Sequence, residues 1–311
     1  MKANSNIFFV ICFCFLQFIG ICFCDVEQLE STEFNSFVTS NALVLVLFKA
    51  SGECPSCNKA LEYLGRLPQP DLVQTEILKR YVIDDRLADK LGALDYPSLV
   101  YYRNGYPALY NGKLSSSDDL PELVEWLSQA SDVATKDLYD DSFEHLTQAS
   151  TGATTGDWFV LFYKPGCEDC MKILSSVECA AISVKYRMSF AKIDVDQNPK
   201  LTKRFNITTC PYGILFKKGK MYPYEPRKFD TNSLIAFTET WYKNVKSSPV
   251  PREPTSFDIL TESIAMYIKQ QVEDPNKNWL LILGVPSVCL LVVVLLIFVF
   301  RKPQDTRRKH D

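Results

Sequence analysis

The chain has 311 residues, 47% of them hydrophobic, and its 34 basic and 37 acidic side chains leave a net charge of −3. This length suits about two domains, and the composition excludes a mainly disordered chain and a protein that crosses a membrane many times. The balanced charge argues against nucleic acid as a partner. With His145 and His310 the only histidines, a histidine-built metal centre or a Ser-His-Asp site lacks its raw material.

Residues 1–24 are typical of a secretory signal peptide. Lys2 gives a charged start, and the run from Ile7 to Cys24 is apolar apart from Gln17. The residues just before Asp25 offer a tolerable cleavage site. Because the apolar run is rather long, an uncleaved membrane anchor is the alternative.

Two similar segments follow, each built around a pair of cysteines with C-x-x-C spacing. In each segment an apolar run typical of a buried strand precedes the pair, and a helical pattern follows it. Further along come a proline beside a second apolar strand, a turn and an amphipathic helix. These parts are 42–48, Cys54 with Cys57, 59–67, 96–102 and 118–130 in the first copy, and 158–163, Cys167 with Cys170, 171–186, 210–216 and 233–242 in the second.

Cysteine is the most informative residue type, with 11 in the chain. Four lie in the signal region and Cys289 in a later apolar stretch. The others are Cys54, Cys57, Cys167, Cys170, Cys179 and Cys210. Two C-x-x-C pairs in an oxidising compartment suit disulfide chemistry. A zinc ribbon is the alternative, but the pairs lie too far apart and no histidine is near, so we predict no metal.

The order of these parts resembles the thioredoxin fold, and the best match is the protein disulfide isomerase family, especially its membrane-anchored members. The second copy is the closer one, through residues 162–170, 191–196, 201–211 and 214–219. The first copy matches through residues 88–97 and Asn111-Gly112. The resemblance implies an α/β protein with two tandem thioredoxin folds, each a mixed central sheet flanked by helices, over residues 25–132 and 133–245.

The C-x-x-C pairs can carry thiol chemistry because a cysteine at a helix N-terminus has a lowered thiol pKa. Cys54 and Cys167 occupy that position and are the predicted nucleophiles, and Cys57 and Cys170, one turn further on, would resolve the mixed disulfide. Two purely structural disulfides are the alternative, although such small loops give little stability.

The resemblance also assigns a substrate-binding role to the prolines that precede the hairpin strands. In the family this proline is cis and lies against the C-x-x-C pair, and its neighbours bind the substrate backbone like an added strand. Pro97 and Pro211 match that position, so Tyr96 and Cys210 are the predicted binding neighbours.

Several residues depart from the active members of the family. Neither pair has an aromatic residue before it or Gly-His between its cysteines, and the family's buried carboxylate is replaced by Leu161 in the second copy. Glu168 and Asp169 place two negative charges beside Cys167, which disfavours the thiolate and favours the disulfide. Lys192 matches the family's basic partner residue. Arg227 matches a modulating arginine, with a solvated turn residue as the alternative.

Two cysteines lie outside the pairs. Cys179 lies about 18 Å along the helix from Cys167 at 1.5 Å per residue, and a disulfide needs Cα atoms within about 7 Å. We therefore predict a buried structural thiol at Cys179. Cys210 is predicted to be a third thiol near Cys167, with an inert core cysteine as the alternative. Asn206 begins the chain's one glycosylation sequon, close to this face.

The C-terminal part predicts a membrane anchor. Residues 246–278 begin with a proline-rich stretch typical of a stiff linker, and 256–272 have helical spacing. Residues 279–300 are apolar after Trp279, long enough for a membrane span, and 301–311 are basic. The positive-inside rule places this tail in the cytosol and residues 25–278 in a lumen, as in a single-pass type I protein. The last residues resemble a di-basic retrieval signal, with a stop-transfer flank as the alternative; a buried soluble helix is the alternative for the span.

The sequence thus predicts thiol–disulfide exchange of the reductase or isomerase type, without a cofactor, on unfolded or cysteine-containing clients at the endoplasmic reticulum membrane. The alternative is a membrane-tethered module that binds clients with weak or vestigial redox activity. The missing carboxylate favours the binding module, and the retained cysteines favour the enzyme.

Overall fold

The computed structural model describes residues 26–93, 95–152, 156–226, 228–273 and 279–300. The predicted signal peptide, the basic tail and Arg227 lie outside the described residues. The described residues up to Arg252 belong to one compact unit, and the described residues from Glu253 onward belong to a second.

The first unit begins with a five-stranded sheet in the order β1-β3-β2-β4-β5. Its centre is β2, whose six residues are all buried, as the uninterrupted apolar run requires of a strand covered on both faces. It pairs parallel with β3 and antiparallel with β4. The strands are β1 (Glu27–Gln28), β2 (Leu43–Phe48), β3 (Leu78–Val82), β4 (Ser98–Arg103) and β5 (Tyr106–Leu109). The helices are α1 (Phe34–Ser40), α2 (Pro55–Arg66), α3 (Asp85–Lys90) and α4 (Leu120–Gln129), with a 3-10 turn at Ser117–Asp119.

A six-stranded sheet follows, in the order β11-β10-β9-β7-β8-β6. The central strand β7 again pairs parallel with one neighbour, β8, and antiparallel with the other, β9. The strands are β6 (Thr135–Asp137), β7 (Trp158–Tyr163), β8 (Ser189–Asp194), β9 (Tyr212–Lys217), β10 (Lys220–Pro223) and β11 (Ser248–Pro249). The helices are α5 (Phe143–Thr147), α6 (Glu168–Val184), α7 (Pro199–Arg204) and α8 (Thr231–Glu239), with a 3-10 turn at Trp241–Asn244.

Each sheet carries a hydrophobic core on both of its faces. This two-sided burial, the mixed strand pairing and the flanking helices confirm two tandem thioredoxin-like folds. We call the parts around the first and second sheets the first and second domains.

The first residues of the predicted linker, 246–278, belong in the structure to the second domain. Ser248 and Pro249 form β11, which pairs antiparallel with β10, and Val250 is buried in the core of the second domain. The backbone oxygen of Pro251 accepts hydrogen bonds from the Arg204 guanidinium. A proline is tolerated here because β11 is an edge strand.

The two domains meet along helix α6. One side of α6 packs on its own sheet, and the other contacts β5 and α3 of the first domain. Ile182 of α6 is counted among the core residues of the first domain. Glu178 accepts a hydrogen bond from the buried Arg103 and two more from the backbone of Ala134 and Thr135. The helix that begins at the second cysteine pair is therefore also the main contact between the domains.

The second unit contains helices α9 (Ser256–Glu273) and α10 (Trp279–Phe300). The helix predicted over 256–272 is thus present. Within the residues for which the structure describes both backbone and side chains, no helix is long and apolar enough to cross a membrane.

Candidate functional site

The first cysteine pair lies at the start of α2. Cys54 is the N-cap residue, Pro55 occupies the first helical position, and the backbone N–H of Cys57 donates to the sulfur of Cys54 over 3.2 Å. The two cysteines form a disulfide with a Cα–Cα distance of 5.2 Å. Cys57 is 0% exposed, whereas Cys54 is partly exposed. The outer sulfur is therefore the one that a client can reach.

The second pair repeats this arrangement at the start of α6. Cys167 is the N-cap residue, and the backbone N–H of Cys170 donates to its sulfur over 3.1 Å. The pair is disulfide-bonded, with Cys170 fully buried and Cys167 partly exposed. Unpaired N–H groups at a helix N-terminus stabilise a thiolate there. Among the described residues no cluster of side chains could hold a metal ion.

Both predicted prolines follow a cis peptide bond, Tyr96–Pro97 and Cys210–Pro211. The backbone oxygen of Cys210 lies 3.8 Å from the sulfur of Cys167. The structure therefore brings the backbone of Cys210 to the second pair. Tyr96, Pro97, Cys210 and Pro211 are all partly exposed, which leaves both loops accessible.

Asp85 connects the two loops of the first site, and the sequence analysis missed it. Its carboxylate accepts from the Ser51 hydroxyl at 2.6 Å and from the Tyr96 hydroxyl at 2.7 Å. These hydrogen bonds hold the pKa of Asp85 below its usual value, whereas burial and Asp85 raise the pKa of Tyr96. The loop before Cys54 is thereby tied to the loop before Pro97.

Charged side chains surround the second pair. Glu168 and Asp169 are exposed in the first turn of α6, as predicted. Lys164, on the loop after β7, pairs with Asp196 at 3.1 Å. Lys172, one turn further along α6, pairs with Asp89 of the first domain at 2.9 Å. Burial, with a contribution from Asp196, raises the pKa of the Cys210 thiol, and Lys164 opposes that rise.

Lys192 lies opposite Leu161 in the strand register, and Leu161 is fully buried. With no carboxylate at position 161, the described partners of the Lys192 ammonium are Asp137 at 3.4 Å and the ring of Tyr106 at 4.5 Å. Tyr106 belongs to the first domain, so Lys192 contributes to the junction between the domains.

The remaining sequence-predicted residues lie away from the sulfurs or on the surface. Cys179 is 1% exposed on α6, and burial is the main cause that raises its pKa to about 11. Such a thiol stays protonated at neutral pH. Asn206 is exposed and has a φ of 53°, on the loop that leads to Cys210.

The sequence analysis did not single out Arg103, which ends β4 and is 1% exposed. Its partner Glu178 was also missed. A charged residue directly after the apolar strand, and an acidic residue in the middle of a helix, were the available signals, but nothing in the sequence linked them.

Comparison with known proteins agrees with this geometry. Residues 134–239 match the thioredoxin family. A thioredoxin domain-containing protein of Theileria parva is 40% identical over 133 residues, 43% of this chain and 60% of that protein. Mouse protein disulfide-isomerase A4 is 24% identical over 217 residues, 65% of this chain and 33% of that protein.

Mouse thioredoxin-related transmembrane protein 4 is 24% identical over 186 residues, 57% of this chain and 55% of that protein. Among solved structures, form I of ERdj5 superposes with a TM-score of 0.35 at 17% identity, covering 79% of this chain and 33% of that chain. The chain spans less than two thirds of each of these proteins. The chain is thus similar to thioredoxin-domain proteins and to protein disulfide isomerases.

Proposed function

We propose that this protein is a thiol–disulfide oxidoreductase that exchanges disulfides with client proteins through Cys54–Cys57 and Cys167–Cys170. One observation carries the proposal: each pair joins a partly exposed cysteine at a helix N-terminus to a buried cysteine one turn later. A structural disulfide gains nothing from an exposed sulfur in that position, whereas an attacking thiolate needs both the exposure and the stabilising N–H groups.

The exchange proceeds in two displacements. With the second pair reduced, the Cys167 thiolate attacks one sulfur of a client disulfide, forms a mixed disulfide and expels the other client sulfur as a thiolate. Cys170 then loses its proton and attacks the Cys167 sulfur, which releases the reduced client and leaves the Cys167–Cys170 disulfide. Two electrons pass from the pair to the client, and the same steps in reverse oxidise a client dithiol.

The loops before Pro97 and Pro211 are the proposed client-binding surfaces. The Cys210 carbonyl beside the Cys167 sulfur is placed to accept a hydrogen bond from the backbone of a segment whose sulfur is under attack. Tyr96 takes the equivalent position in the first domain. Backbone recognition of this kind suits unfolded or cysteine-containing clients of varied sequence.

The proposed location is the endoplasmic reticulum membrane, with both domains in the lumen. The support comes from the sequence, through the signal-like residues 1–24, the apolar residues 279–300 and the basic tail. The similarity to protein disulfide isomerases and to a thioredoxin-related transmembrane protein points the same way. Asn206 is a proposed glycosylation site under this topology.

A second function is favoured by Leu161, which is buried where active family members carry a proton-relaying carboxylate. Without that carboxylate the Cys170 thiol loses its proton slowly. The protein would then be a membrane-tethered module that binds clients and exchanges disulfides weakly.

Trapping of mixed disulfides tests the proposal. Cys170→Ala should accumulate clients on Cys167, visible as bands on a non-reducing gel that disappear with reductant, because no resolving thiol follows. Cys57→Ala should trap less, since the second domain is closer to the family pattern. Cys167→Ala with Cys170→Ala is the matched control and should trap nothing through this pair.

The outcomes separate the alternatives. Trapping by Cys57→Ala alone would reverse the ranking of the domains. If neither variant traps a client while the intact protein still binds a reduced unfolded protein, the binding module is the correct function.

A further inference from the structure

The first two turns of α6 are held by the first domain. Lys172 pairs with Asp89 at 2.9 Å, and the Ser175 hydroxyl donates to the Leu91 carbonyl at 3.1 Å. Gly92, with a φ of +67°, approaches α6 so closely that a Cβ there would lie 2.3 Å from the Lys172 carbonyl oxygen. Packing therefore fixes the backbone of Lys172 against the first domain, whereas the ion pair with Asp89 fixes its side chain.

Lys172 also has acidic neighbours on its own helix. It follows Glu168 by four residues and Asp169 by three, the spacings at which side chains on one helix face meet. A glutamate four residues before a lysine is the favourable order for such a pair. In the structure the Lys172 ammonium instead hydrogen-bonds Asp89, which raises its pKa above the ordinary value.

The other described charges around Cys167 are already matched. Lys164 pairs with Asp196, and Asp194 is buried and accepts from the Asp196 backbone N–H and the Gln197 side chain. In the part of the chain that the structure describes, Lys172 is the cation at helical spacing from Glu168 and Asp169, and the first domain holds it.

We propose that Asp89 is a positioning residue for the second site, which binds Lys172 directly and so keeps its ammonium from forming a close ion pair with Glu168 or Asp169 beside Cys167. The contact makes the Cys167–Cys170 pair a stronger reductant than its own helix alone would. This inference rests on the proposed exchange of disulfides at Cys167 and deepens it, because the first domain then sets the electron-donating strength of the second.

The charges around Cys167 determine the direction in which the redox equilibrium of the pair shifts. The relevant equilibrium is site disulfide plus two glutathione thiols giving site dithiol plus glutathione disulfide. Negative charge beside Cys167 disfavours its thiolate and shifts this equilibrium to the site disulfide. With Asp89→Asn, Lys172 can turn to Glu168 and so move closer to the thiolate. The full interaction of a cation about 8 Å away at an effective dielectric of about 60 corresponds to about threefold, so the equilibrium shifts toward the dithiol by up to about that factor.

A double-mutant cycle on the full chain in detergent tests the proposal. Cys54→Ala and Cys57→Ala remove the first pair, so that glutathione equilibration followed by thiol alkylation reports the second pair only. Asp89→Asn should raise the equilibrium constant for reduction of the second pair by glutathione by up to about threefold. In the Lys172→Gln background the same substitution should change it less than twofold. Asp71→Asn, an exposed carboxylate of the first domain, is the matched control and should change nothing.

Equal effects of Asp89→Asn in both backgrounds would overturn the proposal, since Asp89 would then act only as a distant charge. No effect in either background would overturn it as well. Loss of stability without a change in the glutathione equilibrium would mean a purely structural contact and would also contradict it. Failure of the second pair to equilibrate with glutathione in the parent chain would instead contradict the proposed function.

Discussion

The thiol of Cys210 is held in a less reactive state than its position beside Cys167 suggests. Its backbone oxygen is 3.8 Å from the Cys167 sulfur, but burial and the nearby Asp196 raise its pKa above the ordinary thiol value. At neutral pH Cys210 is therefore mainly protonated and attacks slowly. As pH rises toward that pKa, its thiolate fraction increases about tenfold per pH unit.

We expect Cys210 to act as a pH-dependent second resolving thiol. In a Cys170→Ala chain, a mixed disulfide on Cys167 should live longer when Cys210 is replaced by serine, because serine keeps the size and polarity but cannot resolve it. The gain in lifetime should be larger at pH 9 than at pH 7, measured on non-reducing gels over time. Equal lifetimes with and without Cys210 at both pH values would indicate an inert cysteine.

At the scale of elements, helix α3 owes much of its stability to a single N-cap residue, Asp84. The Asp84 carboxylate accepts from the backbone N–H groups of Arg86 and Leu87 at 2.9 and 3.0 Å. The Ser31 hydroxyl and these N–H groups hold the pKa of Asp84 below its usual value. A short helix depends strongly on such a cap, and α3 carries both Asp85 of the first site and Asp89 of the domain junction.

Asp84→Ala should lower the free energy of unfolding by about 1 kcal/mol at pH 7. The pKa of Asp84 is depressed in the folded state, so its contribution is present above the unfolded pKa of 3.8 and is lost as pH falls through the folded value. The difference from wild type in urea unfolding should therefore shrink at low pH. Asp84→Asn keeps a cap at pH 7 and is the control; an equal loss in both variants would exclude capping as the cause.

At the scale of the whole molecule, the junction rests on a buried charge pair. The side chains of Arg103 and Glu178 are 2% and 6% exposed. Burial lowers the pKa of Arg103 and Glu178 opposes this shift. Within the described residues Nε and Nη1 of Arg103 have no hydrogen-bond acceptor, so Glu178 is the main compensation for the buried cation.

Glu178→Gln should lower the free energy of unfolding by about 3 kcal/mol, because it leaves the Arg103 cation buried and unpaired. Replacing both residues by methionine should cost less than this single change. Glu62→Gln is the control, since its pair with Arg66 is about half exposed (side chains 55% and 56%) and should contribute under about 1 kcal/mol. Urea unfolding of the full chain measures all of these. A loss for Glu178→Gln no larger than for Glu62→Gln would contradict this account of the junction.

Much of the fold and the second site could be predicted because the signals are local. The apolar run of β7, the helical pattern after Cys170 and the cysteine spacing lie within a few turns of chain, and the repeated order identified both sheets. The exposed and buried roles of Cys167 and Cys170 follow from the same helix start. The predicted bounds of the helices after the cysteine pairs differ from the observed bounds by a few residues. Capping by Cys54 and Cys167 starts each helix before its apolar pattern begins.

The sequence by itself thus determined the two cysteine pairs and the repeated order of strands and helices, because backbone periodicity and spacing encode them within each segment. The two folds and the two proline loops followed from the resemblance of that order to a known family. Only the tertiary structure decided that Arg103 meets Glu178 and that Asp89 holds Lys172. Each of these pairs joins residues far apart in the chain. Their pairing depends on how α6 docks on β5 and α3, and that docking is set by packing between two finished domains, which no local pattern records.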